Sequence, residues 1–332
     1  MELTTTHIKL IQKLADGQFH SGQQLANELG LSRTSIWNYL KVLETMGLDL
    51  HAVKGKGTRL KSGLELLDGK TIKSGLSARS AELLDDLEIS HVLASTNQHL
   101  MQRSRSGQLS SGTVCMAEMQ TAGRGRLGRS WVSPYGQNLY LSFMWNFKAG
   151  LSALSGLSLA CGVAICQALE ELGMNSHGLK WPNDILWEGK KLGGILVEIQ
   201  GESQGEYTVV VGVGVNYRMN GDACQLIDQP WADISTATNS APTGRNSLAS
   251  GIIDHTLQVL NGYEQTGLAP YVERWQRYDC YQNKRAKVIS GNDVRHGVAK
   301  GITELGELKL LKEDGTVDFI TSGEVSLRLE GS

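Results

Sequence analysis

Cysteine is scarce in this sequence, and its spacing excludes the common structural uses of the residue. The five cysteines are odd in number and form no C-x-x-C pair: Cys115, Cys161, Cys166, Cys224 and Cys280. Neither a disulfide framework nor a cysteine-based zinc site is indicated, and no metal-ligating set of residues is predicted. We expect reduced thiols, most of them buried.

The sequence also lacks an evident membrane or export segment. We find no apolar run long enough to span a bilayer, and the N-terminal residues, which include His7, Lys9 and Lys13, do not form the apolar core of a signal peptide. We therefore expect a cytoplasmic protein that binds no membrane. Its 332 residues predict two or three domains, and its 40% hydrophobic content is sufficient for globular cores.

A strong net charge is absent too. The formal net charge of -2 would by itself argue against a nucleic-acid partner. The charge is uneven, however, because residues 1–63 contain eight Lys/Arg and five Asp/Glu, a balance of +3 that leaves -5 for the remainder. The N-terminal part is therefore the basic one.

The N-terminal residues have the spacing of a helix-turn-helix. Apolar residues recur at helical spacing in the first fifteen residues, a second helix is predicted after Ser21, and a third after Ser32. Ala26 would permit close helix contact, Gly30 would make the turn, and Ile36 would fix the second helix of the motif.

A wing is predicted to follow these helices. Two short strands, 48–53 and 58–60, would be joined by residues 54–57, which contain two lysines. The outward face of the third helix and the wing would contact base edges and phosphates. The candidate DNA-binding residues are Ser21, Ser32, Arg33, Thr34, Ser35, Asn38, Lys54 and Lys56. The alternative is a small helical domain that serves only in dimer or domain contacts.

The rest of the chain predicts a mixed α/β domain followed by a small β domain. A polar stretch with several glycines predicts a linker at 64–76. Strand-like and helix-like segments alternate over 77–281. The longest helical pattern, Ser152 to Leu172, is small and apolar, which predicts a buried scaffold helix. Short strands with Gly/Asp turns over 282–332 are typical of a small barrel. We therefore predict an α+β multidomain protein whose first domain is 1–63.

The segment 120–143, QTAGRGRLGRSWVSPYGQNLYLSF, interleaves arginine with glycine. Its alternating residues are Gly123, Arg124, Gly125, Arg126, Gly128 and Arg129. Glycine lets the backbone approach a ligand, and arginine offers a planar fork of donors, so the segment favours wrapping an anion. The glycines also match the dinucleotide-binding fingerprint, but no helix is predicted to follow them. A solvated basic loop without a ligand is a second alternative.

Two further motifs complete the pattern. The motif KWPND begins at Lys180, and the motif KKLGGILVE ends at Glu198. Together with the arginine segment, they make the chain resemble the biotin protein ligases over nearly its whole length. It resembles in particular the two-function type that also represses the biotin operon. The resemblance implies a central mixed-sheet domain like that of class II synthetases and a C-terminal SH3-like barrel.

The resemblance also implies a reaction and partners. ATP and biotin, with Mg²⁺, would give biotinyl-5′-adenylate, and biotin would then pass to a lysine of a biotin carboxyl carrier protein, a subunit of acetyl-CoA carboxylase. The retained adenylate would promote a homodimer that binds operator DNA and represses the genes of biotin synthesis. Two alternatives are a biotin-sensing transcription factor with an inactive ligase fold and a lipoyl or octanoyl transferase.

The same resemblance assigns site residues. Those expected to bind biotin are Ser95, Thr96, Asn97, Gln120, Arg124, Gly125, Arg126 and Lys191. Catalysis is expected from Lys191, Arg124, Arg126 and Asp184, and adenylate binding from Asn183, Asn216 and Trp231. Leu127 stands where the family commonly has a further arginine, which puts the retention of the adenylate in doubt but not the activity.

Several of these assignments have a purely structural alternative. Ser95 and Asn97 are typical helix caps. Asp184 could be held by local hydrogen bonds, and a lone lysine such as Lys191 is usually solvated. Trp231 could simply anchor a surface loop.

Overall fold

The computed structural model describes residues 3–107, 109–201, 206–220, 222–238, 244–323 and 325–330. Three regions follow one another along the chain, each with its own β-sheet. They occur in the predicted order: a helix-turn-helix, a mixed-sheet region and a small β region.

The N-terminal region is a winged helix-turn-helix, as predicted. It comprises α1 (Thr5–Leu14), α2 (Gly22–Leu29), α3 (Arg33–Thr45), β1 (Leu50–Val53) and β2 (Gly57–Leu60). The hydroxyls of Ser21 and Ser32 cap α2 and α3, each accepting a 3.0 Å hydrogen bond from the backbone three residues on. Gly30 ends α2 at a φ of 66°, where other residues would be strained. Ala26 and Ile36 are buried, so the motif spacing is confirmed.

The predicted linker is hydrogen-bonded to both of its neighbours. It contains a helix that the sequence did not predict, α4 (Gly69–Ser74). The backbone N–H of Leu64 donates a 2.8 Å hydrogen bond to the carbonyl that follows α1. The Glu65 carboxylate accepts hydrogen bonds from the backbone N–H groups of Arg245 (2.6 Å) and Asn246 (3.0 Å) in the central region. The linker therefore fixes the N-terminal region against the central one.

A buried ion pair strengthens this connection. Arg245 Nη1 lies 2.6 Å from Glu118 Oε2, and their side chains are 0% and 1% exposed. The guanidinium also donates to the carbonyls of Asn138 (3.0 Å) and Glu65 (2.9 Å), while Glu118 Oε1 accepts from Leu67 N at 2.6 Å. These bonds matter because a charge pair removed from water needs partners for its remaining donors and acceptors. Of the charged-group atoms of this pair, only Nη2 of the Arg245 guanidinium has no hydrogen-bond partner among the described residues.

The central region is built on a seven-stranded mixed sheet. Its strands are β3 (Asp86–Leu93), β4 (Thr113–Gln120), β5 (Asn138–Phe147), β6 (His177–Lys180), β7 (Asp184–Trp187), β8 (Lys190–Gly201) and β9 (Tyr207–Asn216). The order across the sheet is β3-β4-β5-β9-β8-β7-β6, and only β3 and β4 pair in parallel. The predicted mixed sheet is confirmed.

Helices cover this sheet. They are α5 (Ala78–Leu83), α6 (Thr96–Ser104), α7 (Leu157–Glu171), α8 (Ile234–Ala237), α9 (Arg245–Thr266) and α10 (Ala269–Tyr278). Helix α7 lies in the main core, where eleven of its residues are buried. By length and composition, Leu151–Glu171 could cross a bilayer, so the expectation that no run is long enough was wrong. Most of the segment is packed inside the protein, as in a core helix, and is weak evidence for a membrane.

The C-terminal region is a five-stranded antiparallel sheet. Its strands are β10 (Arg285–Ser290), β11 (Asp293–Ile302), β12 (Leu308–Leu311), β13 (Val317–Ile320) and β14 (Ser326–Leu329), in the order β13-β12-β11-β10-β14. Among the described strands, β13 and β14 do not pair, so the predicted barrel is not closed there. Trp181 Nε1 donates a 3.0 Å hydrogen bond to the Gly306 carbonyl, which docks this region on the central one.

The cysteines are all free, which agrees with the absence of a disulfide framework. Cys115, Cys161 and Cys166 are buried. Burial raises the pKa of Cys115 and of Cys161 to about 12, so both remain neutral thiols at ordinary pH.

Candidate active site

Most of the predicted site residues line one cleft between the central sheet and the C-terminal region. The cavity measures about 820 Å³. Ten predicted residues line it: Ser95, Thr96, Asn97, Gln120, Arg124, Gly125, Arg126, Asn183, Asp184 and Lys191. Asn216 and Trp231 lie beside it. The fold therefore gathers residues that are up to about a hundred positions apart in the sequence.

The polar end of the cleft is formed where β3 ends and α6 begins. Ser95 caps α6, since its hydroxyl oxygen accepts a 3.4 Å hydrogen bond from Gln98 N. The backbone N–H of Thr96 donates at 2.8 Å to Gln120 Oε1, at the end of β4. Gln120 Nε2 in turn donates at 3.2 Å to Ser133 Oγ. Capping by Ser95 thus coexists with the presentation of Thr96 and Gln120 to the cleft.

The side chain of Asn97 is held at both ends of its amide, and it is 4% exposed. Its Oδ1 lies 2.5 Å from the Ser142 hydroxyl oxygen. Its Nδ2 donates at 2.8 Å to Glu198 Oε2 and at 3.3 Å to the Leu196 carbonyl. Asn97 is therefore not a helix cap. Glu198 was not predicted as a site residue, although the KKLGGILVE motif ends with it.

Glycines of β9 form a narrow floor for the cleft. A Cβ at Gly212 would lie 2.2 Å from Asn97 Oδ1, and one at Gly214 would lie 2.6 Å from the ring of Trp131. The same ring lies under Lys191, whose Nζ is 5.4 Å from its centroid. The sequence interpretation missed Trp131, for which the only signal was its place within the arginine segment, two residues after Arg129.

The arginine segment connects β4 to β5 through a single 3₁₀ turn, Arg126–Gly128. The dinucleotide-binding fingerprint requires a helix at this point, so that alternative is excluded. Leu127 has a φ of 56°, an uncommon conformation for a residue with a branched side chain, and it is 52% exposed.

Arg126 ties this segment to the C-terminal region. Its guanidinium donates to the carbonyls of Ser322 (2.8 Å) and Gly323 (2.5 Å), between β13 and β14. It also donates at 3.2 Å to Asn183 Oδ1. Arg124, by contrast, is 46% exposed and lies 3.7 Å from the Glu198 carboxylate.

Three cationic side chains, Lys180, Lys191 and Arg126, lie around Asp184 in the cleft. Lys191 Nζ lies 2.7 Å from Asp184 Oδ1, and Lys180 Nζ lies 3.6 Å from Asp184 Oδ2. Burial lowers the pKa of Lys180 and of Arg126, while the charge of Asp184 opposes both shifts. The excess of positive charge suits an anionic ligand. Lys180 was overlooked as a site residue, although it opens the KWPND motif.

Asn216 and the segment around Trp231 contact the backbone of Lys191. Asn216 Nδ2 donates to the carbonyls of Lys191 (3.3 Å) and Ala232 (3.0 Å). The segment around Trp231 pairs with Lys191, whose N–H donates to the Pro230 carbonyl at 2.9 Å and whose carbonyl accepts from Ala232 N at 2.9 Å. Both residues therefore help to fix the backbone of Lys191.

Three family models match successive parts of the chain. They are the HTH domain at residues 6–59, the biotin/lipoate A/B protein ligase family at 89–216, and the biotin protein ligase C-terminal domain at 283–328. The bifunctional ligase/repressor BirA of Escherichia coli K12 is 40% identical over 328 residues, 99% of each chain. This chain belongs to the biotin protein ligase family. The bifunctional ligase/repressor BirA of Bacillus subtilis 168 is 32% identical over 319 residues, 94% of this ligase and 95% of that protein.

A solved structure agrees with this assignment. The biotin protein ligase of Aquifex aeolicus in complex with biotin and ATP matches with a TM-score of 0.62 and 28% identity. The match covers 74% of this ligase and 100% of that chain. The protein is an ATP-dependent biotin–protein ligase of the ligase/repressor type. Because the BirA matches include the helix-turn-helix, a lipoyl or octanoyl transferase is not supported.

The ligase exposes most of the residues that were predicted to bind DNA. Those exposed on α3 and the wing are Arg33, Thr34, Asn38, Lys54 and Lys56. Ser21 and Ser32 are the helix caps described above, and the Ser35 hydroxyl lies 2.9 Å from that of Ser32. The sequence interpretation did not include Trp37, which is 53% exposed on α3 with Lys41 Nζ 3.6 Å from its ring centroid.

Gly214→Ala is expected to raise the KM of the ligase for biotin roughly tenfold or more. The added methyl group would lie 2.6 Å from the Trp131 ring and would displace the indole into the cleft. Rates of pyrophosphate release at varied biotin concentration measure this effect. Gly262→Ala is the control, because a Cβ there meets no atom within 4 Å. An unchanged biotin KM in Gly214→Ala would contradict the conclusion that the glycines of β9 leave no room for a side chain beneath biotin.

Proposed function

We propose that the cleft first joins biotin to AMP and then transfers biotin to a lysine of a biotin carboxyl carrier protein, a subunit of acetyl-CoA carboxylase. The supporting observation is the group of Lys180, Lys191 and Arg126 near Asp184, next to the polar end of the cleft. A carboxylate and a triphosphate repel each other, so fixed positive charge is what the reaction needs first.

The polar end of the cleft suits the ureido head of biotin. Hydroxyl, amide and backbone groups for it come from Ser95, Thr96, Asn97 and Gln120. The apolar chain of biotin would lie over the glycine floor against Trp131. The biotin carboxylate would then reach Lys191, Arg124, Arg126 and the backbone of Gly125.

In the first step a carboxylate oxygen of biotin attacks the α-phosphorus of ATP, and pyrophosphate leaves. Lys191 and Arg126 would stabilise the negative charge that develops around phosphorus, with Arg124 as a more exposed partner. Preorganised donors of this kind are each worth about 10²–10³ in rate where water is excluded. Asn183, at 3.2 Å from the Arg126 guanidinium, would keep that group oriented.

Mg²⁺ is proposed to enter with ATP, held mainly by phosphate oxygens and water. The carboxylates that line the cleft are Asp184 and Asp228. Both oxygens of Asp184 face lysines, at 2.7 Å and 3.6 Å. Asp184 could therefore bind Mg²⁺ only if these lysines moved away from it to contact the phosphates of ATP. The ion would neutralise phosphate charge.

In the second step the lysine amine of the acceptor attacks the acyl carbon of the adenylate, an amide forms, and AMP leaves. Asp184 would take the proton that the amine loses. Trp231 would pack on adenine, and Asn216 would hold the ribose side. Their contacts with the backbone of Lys191 support this arrangement, because they connect the nucleotide side of the site to the cation.

The domain boundaries are also part of the proposal. The winged helix-turn-helix would be 1–63, the linker 64–76, the catalytic domain 77–281 with a fold like that of class II synthetases, and the SH3-like domain 282–332. The extreme residues 1–2 and 331–332 lie outside the described ranges.

The repressor activity would depend on retention of the adenylate. When acceptor protein is scarce, bound biotinyl-5′-adenylate would favour a homodimer, and two helix-turn-helix units would bind a two-fold operator. Both activities would take place in the cytoplasm, without a membrane partner. The exposed Leu127, where the family commonly has arginine, would change how long the adenylate is held.

The ligase proposal is tested with ATP, Mg²⁺ and biotin, by following pyrophosphate release and then biotin transfer to a carrier domain. We expect both, and we expect Arg126→Ala to slow pyrophosphate release. Biotin binding without pyrophosphate release would contradict the adenylation step proposed for this cleft.

Operator binding is expected to weaken with salt, since Arg33 and Lys56 would contact phosphates. Arg33→Ala and Lys56→Ala should each reduce the slope of log K against log salt concentration by about 1. Titrations of a promoter fragment that the wild-type protein protects in footprinting measure this slope. Lys61→Ala is the control, because Lys61 already pairs with Asp49 at 3.3 Å. Unchanged slopes in both variants would contradict the proposal that Arg33 and Lys56 contact DNA phosphates.

A further inference from the structure

We propose that Glu198 is a positioning residue for biotin, which fixes the orientation of the Asn97 amide and so decides which of its atoms faces the ligand. This inference rests on the biotin-binding role proposed for Asn97. Two groups of β8 contact that amide: the side chain of Glu198 and the backbone carbonyl of Leu196.

The two ends of the Asn97 amide meet different partners. An ionised carboxylate can only accept hydrogen bonds, and so can a backbone carbonyl. The Glu198 carboxylate (2.8 Å) and the Leu196 carbonyl (3.3 Å) therefore both require the Nδ2 donor on the β8 side. The Oδ1 acceptor is left on the side of the Ser142 hydroxyl, 2.5 Å away.

Burial makes this preference strong. Because Asn97 is only 4% exposed, little water reaches its amide to replace a missing partner. If the amide were rotated by about 180°, Oδ1 would face the Glu198 carboxylate. Two hydrogen-bond acceptors would then meet in a buried site, which is unfavourable. Amide oxygens have two acceptor positions, so after the Ser142 hydroxyl one position of Oδ1 stays available to an N–H donor in the cleft, such as a ureido N–H.

The second contact of Glu198 is weaker. Arg124 Nη2 lies 3.7 Å from Glu198 Oε1, and the two side chains are 46% and 29% exposed. Ion pairs at this distance and exposure contribute little. Glu198 therefore acts mainly through Asn97, and its removal should affect biotin rather than ATP.

The strand also offers a matched control. Gln200 follows Glu198 by two residues on β8, so it points to the same face of the sheet. Its side chain accepts a hydrogen bond from Arg105 Nε at 3.4 Å, and it does not line the cleft.

The test compares Glu198→Leu with Glu198→Gln in steady-state pyrophosphate release by the full chain. Leucine cannot accept a hydrogen bond, so we expect a rise in the biotin KM of about tenfold or more. The ATP KM and kcat should change less than about twofold. Glutamine can present its amide oxygen to Asn97 Nδ2 and should stay within about threefold of wild type. Gln200→Ala should match wild type. If Glu198→Leu does not fold, Glu198→Ala replaces it in the same comparison.

A double-mutant cycle separates this inference from the proposed function. In an Asn97→Ala background, Glu198→Leu should add less than about twofold to the biotin KM. Three results would each overturn the positioning role. The first is an equal rise in the biotin KM of Glu198→Gln and Glu198→Leu, and the second is full additivity of the Asn97→Ala and Glu198→Leu effects on that KM. The third is a rise in the ATP KM that matches the rise in the biotin KM. An unchanged biotin KM in Asn97→Ala itself would instead overturn the biotin-binding assignment of that residue.

Discussion

Lys191→Ala is expected to lower the rate of biotinyl-adenylate formation roughly a hundredfold or more at saturating biotin and ATP. The Lys191 side chain is 18% exposed, so solvent screens its charge little, and Nζ already lies 2.7 Å from Asp184 Oδ1 inside the cleft. Loss of the cation would leave the charge that develops around phosphorus without one of its main partners. Single-turnover pyrophosphate release measures the chemical step directly.

The neighbouring Lys190→Ala is the matched control for that experiment. Lys190 is exposed and does not line the cleft, although it adjoins Lys191 in β8. We expect its rate to equal that of the wild-type protein. A Lys191→Ala rate within about threefold of wild type would mean that Lys191 does not stabilise the transition state.

Arg245→Met, or Glu118→Leu, is expected to lower the free energy of unfolding by about 3–5 kcal/mol. Each substitution leaves the other charge of the pair buried and unpaired, since the two side chains are 0% and 1% exposed. It also removes hydrogen bonds that hold the linker, including those to Leu67 and Glu65. Denaturant unfolding followed by circular dichroism measures the change.

The double variant Glu118→Leu/Arg245→Met distinguishes an unpaired charge from lost packing. With both charges removed, part of the stability should return, so the double variant should be more stable than the sum of the single effects implies. Arg285→Ala, which breaks ion pairs of a 59% exposed side chain, should leave the midpoint nearly unchanged. Wild-type stability in Arg245→Met would contradict the role given to the pair.

Local signals made the N-terminal region predictable. The caps at Ser21 and Ser32, the turn at Gly30 and the buried Ala26 and Ile36 all act within a few residues of their own position. Each is found in the structure as the sequence indicated. The anion-binding role of the arginine segment, by contrast, stays a prediction.

Contacts between distant segments could not be predicted in the same way. Trp131 reaches the floor of the cleft only because β9 carries Gly214 beneath it. Glu198 meets Asn97 across about a hundred residues of sequence. The small, apolar composition of Ser152 to Leu172 did predict a buried helix, but it could not show which neighbours from elsewhere in the chain bury it.

The hydrogen-bonded linker has a consequence for the DNA target. Leu64 is hydrogen-bonded to the N-terminal region, and Glu65 is hydrogen-bonded to the central region. The helix α3 is therefore held in a fixed orientation relative to the catalytic part. In the proposed dimer, the distance between two such helices would be set by the body of the enzyme. The separation of the operator half-sites would then depend on how the catalytic parts of the two subunits meet.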